Sequence, residues 1–127
     1  MTVREESWMT FTIYHFLDDG FGTTGPSYYE RMGAIMIKQS ELSNEGTNVE
    51  RMMTDLDYIW CIGNGECLRE SDGLLVTAYR AFAHRSLMTG DLIVVGEAVW
   101  RIMPIGFELA PEMQYLLEGN NIRRSCV

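Results

Sequence analysis

The clearest hydrophobic pattern in the chain lies between Arg85 and Leu109, in the stretch RSLMTGDLIVVGEAVWRIMPIGFEL. A β-branched run, Leu92–Val95, follows the pair Gly90-Asp91, whose residue types tolerate the backbone of a reversal. Gly96-Glu97 then fits a two-residue hairpin with glycine in the first position. The pattern predicts two strands joined by a tight turn.

A second alternating run continues after this turn. Its side chains divide between two faces, with Val99, Arg101 and Met103 on one and Trp100 and Ile102 on the other. Pro104 cannot donate to a ladder, so the strand ends there. Gly106 predicts a bend in the next short run, residues 105–109. Three short strands with such turns favour a partly curled antiparallel sheet, similar to a half-open barrel.

The first half of the chain predicts one further strand and two helices. Residues 10–17, TFTIYHFL, are apolar on both faces and indicate an interior strand. Ser27 and Glu30 fit a capping box before a helical stripe, although residues 34–37 also fit a buried strand. Thr47 and Glu50 fit a second capping box, and residues 63–65, Gly-Asn-Gly, end that helix. The apolar stripes are Tyr28, Met32, Ile35 and Met36 for the first helix, and Val49, Met52, Met53, Leu56, Ile59 and Trp60 for the second.

The remaining segments complete the predicted fold. Residues 74–79, LLVTAY, indicate a strand, and residues 112–118 fit one or two helical turns after Pro111. At 127 residues the chain is expected to form a single domain, with residues 1–9 and 120–127 as flexible ends. The predicted class is α+β: a small antiparallel, partly curled sheet covered by two α-helices.

Composition limits the setting of the protein. No stretch has about 18 consecutive apolar residues, so no membrane span is expected. The acidic N-terminus has no apolar core typical of a signal peptide. Three cysteines, an odd number, fit a reducing compartment better than a disulfide framework. These features predict a cytoplasmic protein.

The net charge of −8 is concentrated in the middle of the chain. Residues 41–72 hold eight acidic groups against Arg51 and Arg69, whereas residues 73–127 hold five of each sign. Nucleic-acid binding depends on clustered Lys and Arg that displace counterions. An acidic middle therefore argues against nucleic acid as a partner.

Four short motifs follow one another between residues 79 and 108: Tyr79-Arg80, His84-Arg85-Ser86-Leu87, Gly90-Asp91-Leu92-Ile93 and Gly106-Phe107-Glu108. They resemble a pattern, similar to YRARGNRSLSVGDVV with a hairpin and GW or GF, of small proteins related to the YodL-like domain. Such proteins belong to actinobacteria, their phages and mobile elements. This chain departs from the pattern at Met88-Thr89, where Ser-Val is usual. The resemblance implies a fold and a genomic setting, and it supplies no catalytic residues.

Residues that could carry chemistry are few. His15 lies in an apolar strand and His84 before a hairpin, where hydrogen-bonded structural roles are expected. Cys61 and Cys67 are too far apart for a Cys-x2–4-Cys zinc site, although both could join His84 around a metal. The other candidates are Cys126 in the tail, the pair Asp18-Asp19, and glycines 20, 22 and 25, which match GxGxxG without its βαβ context. We therefore expect no catalytic residue, cofactor or metal.

Two surfaces could instead contact a partner. Glu50, Asp55 and Asp57 are expected on the polar face of the second helix, where they form a solvated face or imitate phosphates in a basic groove. Methionine suits adaptable binding surfaces. The other candidate contacts are Met88, Met103, Met113, Trp100, Phe107, Arg85 and Arg101.

Three functions follow as hypotheses. The first is a non-enzymatic, intracellular protein-binding factor of phage or mobile-element type that acts on a host protein, with a homodimer left open. The second is nucleic-acid binding through Arg80, Arg85, Arg101 and Trp100, or acidic mimicry of nucleic acid. The third is a small enzyme or metal protein that uses His15, His84 and the cysteines.

Overall fold

A computed structural model describes residues 7–16, 29–66, 69–83 and 85–114. Within these ranges the fold is α+β: two α-helices and an open antiparallel sheet of five strands in the order β2-β1-β3-β4-β5. The described strands do not close into a barrel, and the predicted class is confirmed. The elements are β1 (Trp8–Phe16), β2 (Tyr29–Lys38), α1 (Asn48–Gly63), α2 (Asp72–Phe82), β3 (Leu92–Val95), β4 (Ala98–Ile102) and β5 (Phe107–Leu109).

The two predicted hairpins are present. Val95 pairs with Ala98 across the first turn, where Gly96 has a φ of 60°. Ile102 pairs with Phe107 across the second, where Gly106 has a φ of 73°. L-residues rarely adopt such a left-handed backbone, so glycine allows both reversals at little cost.

β1 is an interior strand, as predicted, because β2 pairs with one side of it and β3 with the other. The strand begins at Trp8, so Trp8 and Met9 belong to the sheet and not to a flexible end. Residues 1–6 and 115–127 lie outside the described residues, as does Leu17.

The helix predicted after Ser27 is wrong. Tyr29 to Lys38 form β2, which pairs with the whole of β1 and carries an irregularity in register opposite Ile13 and Tyr14. The apolar residues at 32, 35 and 36 fit helical spacing, but Ile35 and Ile37 also alternate. The interior strand β1 needs a second partner, and pairing with it selects the alternating pattern. Ser27 itself lies outside the described residues.

The helix predicted from Thr47 is confirmed as α1. The Thr47 hydroxyl accepts a hydrogen bond from the Glu50 N–H at 3.2 Å, which satisfies one of the free donors of the first turn. At the other end, the N–H groups of Asn64 and Gly65 donate to carbonyls of the last turn. The helix thus ends within residues 63–65, the Gly-Asn-Gly segment predicted to end it.

The strand predicted at residues 74–79 is wrong, because these residues lie in α2. Residues 74–79 include the β-branched Val76 and Thr77 and the aromatic Tyr79, residue types that favour strands. The wider spacing of Leu75, Val76, Tyr79 and Phe82 is helical, and all four pack in the core or against it. Asp72 fixes the start of this helix, since its carboxylate accepts the N–H of Arg69 at 2.8 Å.

Both faces of the sheet are covered to different extents. The larger core lies between one face and the two helices, and it includes Phe11, Ile13, Ile35, Ile37, Leu56, Ile59, Ile62, Val76, Tyr79, Leu87, Ile93, Val95, Trp100 and Ile102. A smaller cluster on the other face contains Tyr14, Leu92, Val94, Val99 and Ala110, with Met113 packed against it. Met113 ends a 3-10 turn, Pro111–Met113, which occupies the start of the helical segment predicted at residues 112–118; residues 115–118 lie outside the described part.

Gly63 provides a test of packing between α1 and the segment before β3. A Cβ atom built on Gly63 would lie 2.4 Å from Cδ1 of the buried Leu87, whereas one on Gly73 in α2 meets nothing within 4 Å. We expect Gly63→Ala to lower the free energy of unfolding by about 1–3 kcal/mol through overpacking. Gly73→Ala, the matched helical control, should be neutral or stabilising by up to about 1 kcal/mol. Urea denaturation measures both, and equal effects would contradict the proposed packing.

Candidate functional site

The Asp91 carboxylate is fully buried and accepts four hydrogen bonds from three residues. Arg85 donates to both carboxylate oxygens, at 2.8 and 2.7 Å. The backbone N–H of Phe16 donates at 2.9 Å and that of Met88 at 2.8 Å. Arg85, expected at a partner surface, thus forms an internal ion pair, and its bond to Asp91 raises its pKa. Sequence reasoning treated Asp91 only as a turn residue and missed this role.

A hydrogen-bond chain continues from this ion pair to the interior histidine. The Tyr79 hydroxyl donates to the carbonyl of Arg85 at 2.8 Å, and His15 Nε2 lies 2.9 Å from the same hydroxyl. A hydroxyl has one hydrogen, so His15 Nε2 acts as the donor to Tyr79. Burial raises the pKa of Tyr79 above its ordinary value, which keeps the hydroxyl protonated. His15 is 3% exposed and has the structural role expected for it.

The candidate metal ligands do not converge in the described part of the chain. None of its His, Cys, Asp and Glu residues form groups of three or more that could hold a metal ion. Burial, with Glu66 nearby, raises the pKa of the Cys61 thiol to about 11, so it is protonated at neutral pH. The other residues considered, Cys67, His84, Cys126, Asp18-Asp19 and glycines 20–25, lie outside the described residues.

Three of the four residues proposed to bind nucleic acid form ion pairs or pack in the core of the described structure. Arg101 donates to Glu108 at 2.9 Å and to Glu112 at 2.5 Å, and the bond to Glu112 raises its pKa. Trp100 is 9% exposed and belongs to the core beneath the helices. Of the four residues in that hypothesis, only Arg80 is exposed without an acidic partner in the described structure.

The acidic face expected on α1 is divided. Glu50 and Asp57 are exposed, but Asp55 is 6% exposed and accepts the N–H of Ser43 at 3.0 Å. Burial raises the pKa of the Asp55 carboxyl. Asp55 lies five residues after Glu50, which turns it about 140° around the helix axis. The three carboxylates therefore do not form one surface.

A cleft of about 260 Å³ separates α1 from the β4–β5 hairpin. Met103 and Phe107, both expected at a partner surface, line it together with Trp60, whose ring had been assigned to the helix core. Asp57 lies at the same cleft. The remaining lining residues are Thr89, Ile102, Pro104 and Gly106.

The apolar surface extends beyond this cleft. Ile105, in the hairpin loop, is 94% exposed, and Leu109 on β5 is 57% exposed. Met88, another expected contact, is 53% exposed and precedes Thr89 of the cleft. Met113 packs on the opposite face of the sheet and does not join this group. We call Trp60, Met88, Met103, Ile105, Phe107 and Leu109 the hairpin patch.

Asp57 also borders a second, more open groove on the other side of α1. This groove has a volume of about 500 Å³ and includes Glu41, Glu45, Asp55 and Arg69 among its lining residues. Arg69 lies over the Tyr58 ring at 4.6 Å and within 3.7 Å of the buried Asp72, which also accepts a hydrogen bond from the Tyr58 hydroxyl. Burial and this acceptor raise the pKa of Tyr58 to about 12. Sequence reasoning missed this cluster, because its members lie on α1, at the start of α2 and in the segment between them.

No protein-family model, curated protein or solved structure matches this chain. The class of the protein therefore rests on its fold, an antiparallel five-stranded sheet with two helices on one face, and on the arrangement of the hairpin patch.

Removing the charge of Asp91 tests its structural role. Asp91→Asn leaves Arg85, one third exposed, without its carboxylate, and we expect a loss of about 3 kcal/mol in the free energy of unfolding. Glu108→Gln, which removes a carboxylate from an exposed pair with Arg101, is the control and should cost less than about 1 kcal/mol. Urea denaturation of both variants decides the matter, and a loss at Asp91 no larger than at Glu108 would refute the assignment.

The raised pKa of Asp55 gives a pH-dependent prediction. At a pH between the ordinary aspartate pKa of 3.8 and the raised pKa of folded Asp55, the folded state binds more protons than the unfolded chain. The free energy of unfolding therefore rises as pH falls through this raised pKa. Asp55→Asn keeps an acceptor for Ser43 but has no charge to desolvate. We expect the variant to be more stable than the parent at about pH 7, with the gain shrinking towards about pH 4. Asp57→Asn, exposed on the same helix, should show little change; a less stable Asp55→Asn variant at neutral pH would contradict this account.

Proposed function

We propose that this chain is a non-enzymatic protein-binding factor that engages a partner through the hairpin patch. The observation that carries the proposal is the cleft in which Trp60, Met103 and Phe107 meet beside Asp57. Aromatic residues and methionine are enriched where proteins bind one another, and pockets that accept an anchor side chain concentrate binding energy.

The surroundings of the cleft support this proposal. Ile105 and Met88 are exposed and each is next in sequence to a residue that lines the cleft, and Leu109 is exposed on the same strand as Phe107. Contiguous exposed apolar side chains mark interaction sites. The ion pairs of Arg85 and Arg101 and the His15–Tyr79 bond, in contrast, are used inside the fold. These polar groups of the described structure are thus engaged within the chain, whereas the hairpin patch exposes apolar side chains that a partner can cover.

The setting of this function rests on sequence. The resemblance of residues 79–108 to small proteins of actinobacteria, their phages and mobile elements supports a phage or mobile-element factor that acts on a host protein inside the cell. In the part of the chain that the structure describes, no helix combines the length and apolarity needed to cross a membrane.

Charge placed on the hairpin patch should weaken partner binding. The chain is used to capture proteins from actinobacterial lysate, and the recovered protein is purified and titrated by calorimetry. We expect Ile105→Glu to weaken binding by about tenfold or more, because it introduces a charge into an apolar contact. Leu74→Glu, on α2 and also highly exposed, is the matched control and should bind as the parent does.

Both variants should unfold at the parent's urea concentration, since neither side chain is packed. Equal binding by the parent and Ile105→Glu, or failure to recover a protein that binds stoichiometrically when purified, would refute the proposal.

A further inference from the structure

The free edge of the sheet lies directly beside the cleft. β5 is the last strand in the sheet order, and its backbone bonds to β4 alternate. Met103 N–H donates to the Gly106 carbonyl at 3.0 Å, and Ala110 N–H donates to the Val99 carbonyl at 2.8 Å. In an antiparallel ladder this alternation turns the N–H and C=O groups of the residues between, Phe107 and Leu109, away from β4. These groups form an unpaired edge within the described part of the chain.

The two edges of the sheet differ in their protection. β2, at the other edge, carries Glu30, Arg31 and Lys38 together with a register irregularity, features that discourage pairing with another strand. β5 has Glu108 as its only charged residue, and that carboxylate is paired with Arg101. Its other two residues, Phe107 and Leu109, are apolar. β5 is only three residues long, which also limits pairing, so an added strand can pair with it over Phe107–Leu109 alone.

The side chain of Phe107 connects this edge to the cleft. Phe107 pairs with Ile102, which shares the face of the sheet covered by the helices, and both line the cleft. A residue opposite Phe107 on an added strand would project to that same face, towards Trp60. Residues two positions apart on a strand share a face and are separated by about 6.8 Å, so a second side chain can extend along the cleft beside Asp57.

We propose that the hairpin patch binds an extended peptide segment of its partner, which adds a strand to β5. The segment places an aromatic or large aliphatic side chain in the cleft and an arginine or lysine two positions away near the exposed Asp57. Main-chain pairing supplies affinity, and the two side chains supply specificity. This inference rests on the proposed function and specifies the class of its ligand.

Charge favours this ligand. Asp57 is exposed and has no basic partner in the described structure, and Glu41 and Glu45 border the groove on the other side of α1. A basic side chain near Asp57 therefore gains a favourable charge interaction, to which Glu41 and Glu45 add and from which Arg69 of the same groove subtracts. An acidic segment would be repelled.

A library of random 12-residue linear peptides, displayed on phage and selected on the full chain, tests the inference. Binders are synthesised with one backbone N-methyl group at each position in turn, and their Kd values are measured by fluorescence polarisation. We expect an apolar and a basic residue two positions apart in the selected sequences. N-methylation should weaken binding by about tenfold at alternate positions only, since every second N–H faces β5.

Leu109→Pro removes the outward N–H of β5 without removing a bond to β4, and proline is tolerated at such an edge position. It should bind the selected peptides about tenfold more weakly than Leu109→Ala, which removes the side chain but keeps the N–H. Asp57→Asn should weaken binding of the parent peptide and leave unchanged a peptide whose basic residue is replaced by methionine.

Peptides that show no alternation on N-methylation, equal binding by the two Leu109 variants, or a selection that yields no binder would each overturn the strand model. The proposed function has a separate readout, because Ile105→Glu is titrated with the whole partner protein. Loss of partner binding in Ile105→Glu but not in Leu109→Pro would retain the binding surface and reject the added strand.

Discussion

One buried carboxylate ties the sheet to its helices. Asp91 precedes β3, receives the N–H of Phe16 at the end of β1, and pairs with Arg85 in the segment that follows α2. The carbonyl of Arg85 in turn accepts the Tyr79 hydroxyl, which contacts His15 on β1. A buried ion pair contributes little more net stability than a pair of apolar side chains in the same place. A buried charge left without its partner is costly, however, so the pair favours the one arrangement of these segments that keeps both charges together. α2 is thereby held on one face of the sheet.

Features set by neighbouring residues could be predicted from sequence. The turns at Gly96 and Gly106 and the cap at Thr47 depend on a few adjacent positions. β2 and α2 could not be predicted in this way. Residues 32–37 fit either period until pairing with β1 selects a strand, and residues 74–79 look like a strand unless Phe82 is included in the apolar stripe. In both segments, contacts distant in sequence override a local preference.

The candidate site was predicted in part for the same reason. Met103 and Phe107 were expected at a surface because the hairpin that carries them is local. Strand alternation predicts that Trp100 and Met103 lie on opposite faces of the sheet. It cannot show which of the two faces the helices cover, because both faces carry apolar residues. Trp60 and Asp57 lie more than forty residues before Phe107, so their meeting depends on how α1 packs against the sheet. Trp60 and Asp57 are distant from Phe107 in the sequence, so their place in one cleft could not be predicted without the fold.

The pairing of charges bears on how the proposed binding surface would select its ligand. Arg85 and Arg101 are neutralised within the fold, so they do not offset the acidic groups near α1. Asp57, at the margin of the cleft, is exposed and has no basic partner in the described structure, and its field acts over about one Debye length, roughly 8 Å at physiological salt. In the proposed binding mode, such a field would mainly speed encounter with basic segments, while apolar contact in the cleft would limit dissociation. The charges that hold the fold, at Asp91 and Arg85, are not those proposed to meet the ligand, at Asp57.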